Sequence, residues 1–186
     1  EKILNFKKKF KRVFLPFYKD KELKFVFRKL QEGFPNDKIV ARFVGGCVRK
    51  IINNEKVDDI DLATNIEPTK VKEALENKSI NYFETGIAHG TITALIENDK
   101  FEITSLRSDI KTDGRHAEIE FTTDWIKDAE RRDFTINSIY ADINGNLFDP
   151  FDGKKDLENG LIKFVGETEK RIKAVSYTHL TLPTTP

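Results

Sequence analysis

Between residues 19 and 32, charged side chains alternate with Leu23, Val26, Phe27 and Leu30 at helical spacing. This predicts an amphipathic helix capped by Asp20 and stopped by Gly33, Pro35 and Asn36. The short apolar run 39–44 ends in two glycines and reads as a strand entering a turn. A helix is predicted over 48–53, turned at Asn53 and Asn54. In the extended reading of 59–62, Asp59 and Asp61 leave one face while Ile60 and Leu62 leave the other. Pro68 suits a first helical turn and opens a helix over 69–76. Residues 91–96 and 101–106 read as strands joined by a turn at Asn98 and Asp99. Phe101, Ile103 and Ser105 share one face of the second strand, and Glu102 and Thr104 the other. The block 129–138 is read as helical, with Ile136, Ile139 and Tyr140 packed inward and Arg132, Asp133 and Asn137 bordering a cleft. Residues 147–153 predict a strand, a turn and a short helix, and 161–165 a last strand.

With 186 residues, 38% of them hydrophobic and 34% charged, the chain can bury one domain-sized core and little more. No apolar run approaches a membrane span and no signal-peptide core is visible, so the expectation is a soluble, cytoplasmic protein with no membrane partner. The single cysteine, Cys47, rules out an internal disulfide, fits a reducing compartment and is read as a small buried packing residue. Net charge is only +1, but residues 1–29 carry eleven Lys and Arg against three Asp and Glu. That basic segment could meet an RNA backbone; a solvated, helix-flanking lysine run explains it equally well. The chain has no methionine, which predicts that sequence ahead of Glu1 is missing. Residues 175–186 hold no charge at all and resemble the in-frame translation of a sequencing adapter. They are set aside as an artefact, so His179 carries no chemistry. Three segments result: a basic segment and helix over 1–38, the main domain over 39–174, and the tail over 175–186.

The candidate chemistry sits in two blocks. In the first, Gly45 and Gly46 let backbone N–H groups approach a phosphate, and Arg49 adds a fork of donors for its oxygens. Ten residues on, Asp59 and Asp61 would repel each other unless a divalent cation lay between them, and hard oxygen ligands suit Mg²⁺. A metal pair beside a phosphate cradle reads as nucleotidyl transfer. Either half alone is common in ordinary turns; their order and spacing carry the reading. Glu102 reaches the same metals if its strand pairs beside the aspartate strand, and is otherwise a solvent-facing edge residue. Asp113, Gly114 and Arg115 have the composition of a hairpin loop, and His116 beside them is read as structural. The second block, Arg-Arg-Asp-Phe-Thr-Ile-Asn-Ser at 131–138, follows the aspartate pair by about seventy residues. No His and Cys cluster suits zinc, and no P-loop or dinucleotide fingerprint is present.

Gly-Gly-Cys-Val-Arg at 45–49 with Asp-Ile-Asp-Leu-Ala-Thr at 59–64 resembles the first motif of class II tRNA nucleotidyltransferases, the CCA-adding enzymes. Their catalytic head is shared with bacterial poly(A) polymerases. The block 131–138 resembles the second head motif, and the likeness covers roughly 42–171. It implies an α/β fold of the nucleotidyltransferase head type, a small mixed sheet flanked by helices on one side. It implies Asp59, Asp61 and Glu102 as catalytic carboxylates and Mg²⁺ on Asp59 and Asp61. Gly45, Gly46, Arg49 and Arg132 would bind the nucleotide, with Asp133 and Asn137 placed for ribose or local positioning. Asp113, Gly114 and Arg115 would form a mobile loop, where Arg107 and Arg115 could touch phosphate or RNA. The implied partners are the tRNA 3′ end, CTP and ATP. Lys50 departs from the family, which usually has Asp or Asn there. The neck, body and tail helices that read the base in the family have no counterpart in this chain. The alternative is a poly(A) polymerase adding AMP alone; Gly-Ile-Ala-His-Gly-Thr-Ile at 86–92 looks more like the CCA-adding branch. A binding protein that kept an inert head is the rival of another class, and the presence of Asp59, Asp61, Arg49 and Arg132 argues against it. Oligomeric state, and whether CCA, CC or A alone is added, are not readable.

Overall fold

The computed structural model describes residues 21–33, 40–57, 59–96, 99–112 and 117–166. Asp20, the basic stretch ahead of it, Asn98, Asp113, Gly114, Arg115, His116 and the tail 175–186 lie outside the described residues.

The first helix, α1, runs Lys21–Gly33 and leads into strand β1, Ala41–Val44. Helix α2, Gly46–Ile52, follows at once and ends at Asn53, with Asn54 in the left-handed region at φ 56°. Strand β2, Ile60–Thr64, precedes helix α3, Pro68–Glu76, whose proline occupies the predicted first turn. Strands β3 (Asn81–Gly86), β4 (Thr91–Ile96) and β5 (Asp99–Ser105) form a meander, with a 3₁₀ turn Ile87–His89 between the first two. Strands β6 (Arg107–Thr112) and β7 (Ala117–Phe121) make a separate hairpin. Helix α4 (Trp125–Glu130), strands β8 (Tyr140–Ala141) and β9 (Leu147–Phe148) and helix α5 (Gly153–Glu158) follow among the described residues.

The main sheet has seven strands in the order β3-β4-β5-β2-β1-β8-β9. Only β2 and β5 run parallel, joined through α3 and the β3–β4 meander; every other pair is antiparallel. The sheet is therefore mixed, as the α/β reading expects. One face is covered by Val26, Phe27 and Leu30 of α1, Cys47, Val48 and Ile51 of α2, and Val71 and Leu75 of α3. They pack on Phe43, Leu62, Ile92, Phe101 and Ile103, with the Phe27 and Phe43 rings 5.0 Å apart. Each such side chain contributes about 1.5–3 kcal/mol by leaving water.

The expectation of helices on one side holds for α1, α2 and α3, but α4 packs on the opposite face. There Ala129 and Trp125 join Val44, Ala63, Leu106 and Tyr140 in a second, smaller cluster. The Arg42 guanidinium stacks 4.0 Å from the Trp125 ring and 4.8 Å from that of Phe148, pinning α4 to β1. Among the described residues this face carries an open cavity over β2, β5, β4 and β3, where the candidate site lies.

Two predicted elements do not form. Helix α4 stops at Glu130, so Arg132, Asp133 and Asn137 are not helical; Asn137 ends a 3₁₀ turn, Thr135–Asn137. Long-range partners outweigh helix propensity here. The Asp133 carbonyl accepts from Val165 N–H at 3.0 Å, Thr135 N–H donates to the Lys163 carbonyl at 3.0 Å, and the Thr135 hydroxyl bonds Asp156 at 2.9 Å. Ile139 and Tyr140 are buried as expected, while Ile136 is only half-buried. The strand expected over 161–165 reduces to one bridge between Phe134 and Phe164, with Leu161 and Ile162 exposed.

Helix α5 braces this irregular stretch through Gly153. A methyl group there would lie 2.1 Å from the Thr135 carbonyl oxygen and 2.9 Å from an Ile139 side-chain carbon. Backbone cannot yield as a flexible side chain does, so Gly153→Ala should destabilise the domain by about 1–3 kcal/mol, the usual cost of overpacking. Urea denaturation measures it, and an unchanged midpoint would mean α5 is not held this closely.

Candidate active site

Parallel pairing of β2 with β5 places Asp61 directly opposite Glu102, and β4 adds Thr93 opposite Glu102 on the far side. Alternation along each strand sends Leu62, Ile103 and Phe101 into the core, and Asp61 and Glu102 to the open face. Asp59, one residue before β2, reaches the same place. These carboxylates line an open cavity of about 700 Å³ with Ile60, Phe83, Thr93 and Lys100. The pairing on which the reading of Glu102 depended is thus present.

Burial pushes the Asp61 carboxyl above its ordinary pKa, and the negative charges of Glu102 and Asp59 push it further; Arg132 opposes them. Such a cluster is unstable as three bare anions and relaxes when a cation enters. Among the described residues no group of three or more His, Cys, Asp or Glu side chains is drawn together closely enough to hold a metal ion. The donors are hard oxygens on an open face, which fits a divalent cation that keeps water ligands. Cys47 is no competitor. It is buried, its thiol donates to the Val44 carbonyl at 3.2 Å, and burial raises its pKa.

On the other side of Asp61 lies a cationic group. Gly45 turns the chain from β1 into α2 with φ 70°, a conformation that favours glycine. Gly46 faces open space: a methyl built on it would meet nothing within 4 Å. Arg49 donates from Nη1 to the Asn137 side-chain oxygen, and Arg132 Nη1 would lie 3.8 Å from a methyl on Gly45. Two arginines, a side-chain amide and a glycine turn therefore converge beside the carboxylates. First-turn N–H groups of a helix have no intrahelical acceptor, which adds to the preference for an anion.

Arg132 is held by two residues that the sequence reading missed. Its Nε donates to the Tyr140 hydroxyl at 3.0 Å and its Nη2 to Asp128 at 3.1 Å. Tyr140 in turn donates to Asp128 at 2.7 Å, and Arg131 binds the second Asp128 oxygen at 2.8 Å. Asp128 is 1% exposed. Burial alone would raise its pKa, but Arg132, Arg131 and the Tyr140 hydroxyl outweigh that and hold it below the ordinary carboxylate value. The available signal was helical spacing: Asp128 stands three and four residues before Arg131 and Arg132.

Of the remaining candidates, Asp133 is exposed and contributes its backbone to the Val165 contact. Arg107 donates from Nη1 to the His89 carbonyl at 2.5 Å, tying the β6–β7 hairpin to the turn before β4. Asp113, Gly114 and Arg115 belong to the connection between those two strands, outside the described residues. Among the described residues no helix is long and apolar enough to cross a membrane.

Comparisons with known proteins agree with this geometry. The family model described as the Poly A polymerase head domain matches residues 41–163. Human CCA tRNA nucleotidyltransferase 1, mitochondrial, is 49% identical over 147 residues, covering 78% of this chain and 34% of that protein. The CCA-adding enzyme of Lactobacillus johnsonii is 41% identical over 133 residues, covering 70% and 32% respectively. The chain thus spans about a third of the length of the curated relatives it matches. Among solved structures, Bacillus stearothermophilus CCA-adding enzyme in complex with CTP superposes with a TM-score of 0.73 at 28% identity, covering 88% of this chain and 37% of that one. A tRNA nucleotidyltransferase complexed with a primer tRNA and an incoming ATP analog gives a TM-score of 0.56 at 27% identity, covering 75% and 41%. With its carboxylate strands, its glycine turn and its paired arginines all inside the matched span, the chain belongs to the poly(A) polymerase head domain family.

Proposed function

We propose that this chain is the catalytic head of a CCA-adding tRNA nucleotidyltransferase, which transfers CMP and AMP from CTP and ATP to the tRNA 3′ end with release of pyrophosphate. The observation that carries this reading is the juxtaposition of Asp61 and Glu102 on paired parallel strands with the Arg49, Asn137 and Arg132 group beside them. Relatives named as CCA-adding enzymes, rather than poly(A) polymerases, support the choice of reaction. So do neighbouring structures with CTP and with tRNA plus an ATP analog.

In this reading Asp59 and Asp61 hold Mg²⁺ with support from Glu102. Bound there, the ion would make the RNA 3′-hydroxyl a better nucleophile and neutralise charge on the triphosphate. The protein's own groups orient the substrate. Gly46 leaves room for phosphate oxygens against the backbone, Arg49 and Arg132 bind them, and Asn137 fixes the Arg49 fork. Asp128 and Tyr140 hold Arg132 in place, so its charge needs little reorganisation when the nucleotide arrives. A reducing compartment such as the cytoplasm suits the buried Cys47 thiol.

Labelling of tRNA with each of the four nucleotides, with and without Mg²⁺, tests the proposal on the complete product of the gene. Incorporation from CTP and ATP supports it, from ATP alone supports polyadenylation, and from none refutes transfer. Arg132→Ala should weaken binding of CTP and ATP alike by about 1.5–3 kcal/mol, the range of a charge-assisted contact. A loss confined to one nucleotide in calorimetry would place Arg132 at the base instead of the phosphates.

A further inference from the structure

The carboxylate cavity extends well beyond the carboxylates, across β5 and β4 to the edge strand β3. Register aligns Asp61, Glu102, Thr93 and Phe83 in one row over four neighbouring strands. Phe83 ends that row. Its neighbour Tyr82 packs against the main core, so alternation turns Phe83 to the open face, where its side chain lines the cavity while 52% exposed. Lys100, two residues before Glu102 on β5, lines the same wall.

The two sides of Asp61 differ in chemistry. Arg49 and Gly46 follow β1, and Arg132 is bonded to Tyr140 of β8, so the anion-binding groups lie on the β1 and β8 side. Phe83, Thr93 and Lys100 lie on the β5, β4 and β3 side. In phosphoryl transfer the attacking and leaving oxygens are roughly in line. A triphosphate whose leaving end rests on Arg49 and Arg132 must therefore be attacked from the Phe83 side. Three strand spacings separate β2 from β3, about 14–15 Å, the reach of one or two nucleotides.

We infer that Phe83 is a stacking platform for the terminal unpaired bases of the acceptor RNA strand, with Lys100 meeting its backbone phosphate. The inference rests on the transfer reaction proposed above. Aromatic faces hold single-stranded bases without regard to sequence, and a lysine offsets the repulsion between RNA and the nearby carboxylates.

The test compares unsubstituted protein with Phe83→Ala, Phe83→Tyr and Lys100→Ala. It measures affinity for an acceptor-stem RNA ending in unpaired 3′ CC by fluorescence anisotropy, and affinity for Mg²⁺-CTP by calorimetry. Phe83→Ala should weaken RNA at least about fivefold, Phe83→Tyr should restore it to within about twofold, and CTP affinity should hold in all variants. Lys100→Ala should also weaken RNA, with a shallower salt dependence. RNA affinity unchanged by Phe83→Ala overturns the inference. CTP affinity falling in parallel also overturns it, since the ring would then serve the incoming nucleotide. Transfer that persists while Phe83→Ala leaves RNA affinity untouched sinks the platform and spares the function. A protein inert with all four nucleotides sinks both.

Discussion

Asp61→Ala should lower nucleotide transfer by on the order of 10²–10³ or more, the scale of losing electrostatic stabilisation at a reacting phosphate. The same change should leave the domain folded. Asp61 sits on the open face with its carboxyl raised by burial and by Glu102 and Asp59, so its ionised form is a strain on the fold when no cation is bound. The sign follows from linkage. A carboxyl whose folded pKa lies above its unfolded value costs stability once it ionises. That cost is absent below the ordinary value of 3.8 and complete above the folded pKa. Asp61→Asn should therefore melt higher than the unsubstituted protein at neutral pH without divalent cation, and the difference should vanish in acid. Melting curves at pH 3 and pH 7 test it; an Asn variant that melts lower at pH 7 would show that Asp61 is a structural partner, not a repelled ligand.

The second large effect belongs to Asp128, which touches no predicted ligand position. Asp128→Ala leaves the Arg131 and Arg132 guanidinium groups and the Tyr140 hydroxyl without their shared acceptor. Breaking a buried pair from one side costs about 3–5 kcal/mol. The lower end is expected, because both arginines keep some contact with water and can turn outward. Here the sign is opposite to that of Asp61. The Asp128 pKa is lowered in the folded state, so its contribution is present above 3.8 and fades as pH falls through the folded value. Urea midpoints of Asp128→Ala and unsubstituted protein should converge in acid. Nucleotide affinity should also fall, since Arg132 loses its anchor. A variant with full stability and full CTP affinity would remove Asp128 from the site.

These two residues differ in how readable they were. Asp61 and Asp59 announce themselves by two-residue alternation against Ile60 and Leu62, a local signal. Glu102 needed one non-local fact, that β5 returns parallel beside β2 after some forty residues of chain, and its face then followed from Phe101 and Ile103. Gly45, Gly46 and Arg49 were readable because a glycine turn between strand and helix is a local feature. The stretch from Arg131 to Asp142 was not. Its apolar spacing fits a helix, yet Phe134 is drawn to Phe164, Thr135 to Asp156 and Lys163, and Tyr140 and Ala141 to Val44 and Phe43 in the sheet. Short elements specified by distant partners carry little periodicity. For the same reason Tyr140 read only as a core aromatic and Asp128 drew no reading, although together they aim Arg132.

Calorimetric titration of CTP into the protein, with Mg²⁺ and again with excess EDTA, tests most directly whether Asp59, Asp61 and Glu102 act with Arg49 and Arg132 as one metal-dependent nucleotide site. CTP should bind in Mg²⁺, lose at least about tenfold in affinity in EDTA, and show no Mg²⁺ dependence in Asp61→Asn. Equal CTP affinity with and without Mg²⁺, or a Mg²⁺ dependence that survives Asp61→Asn, would contradict it.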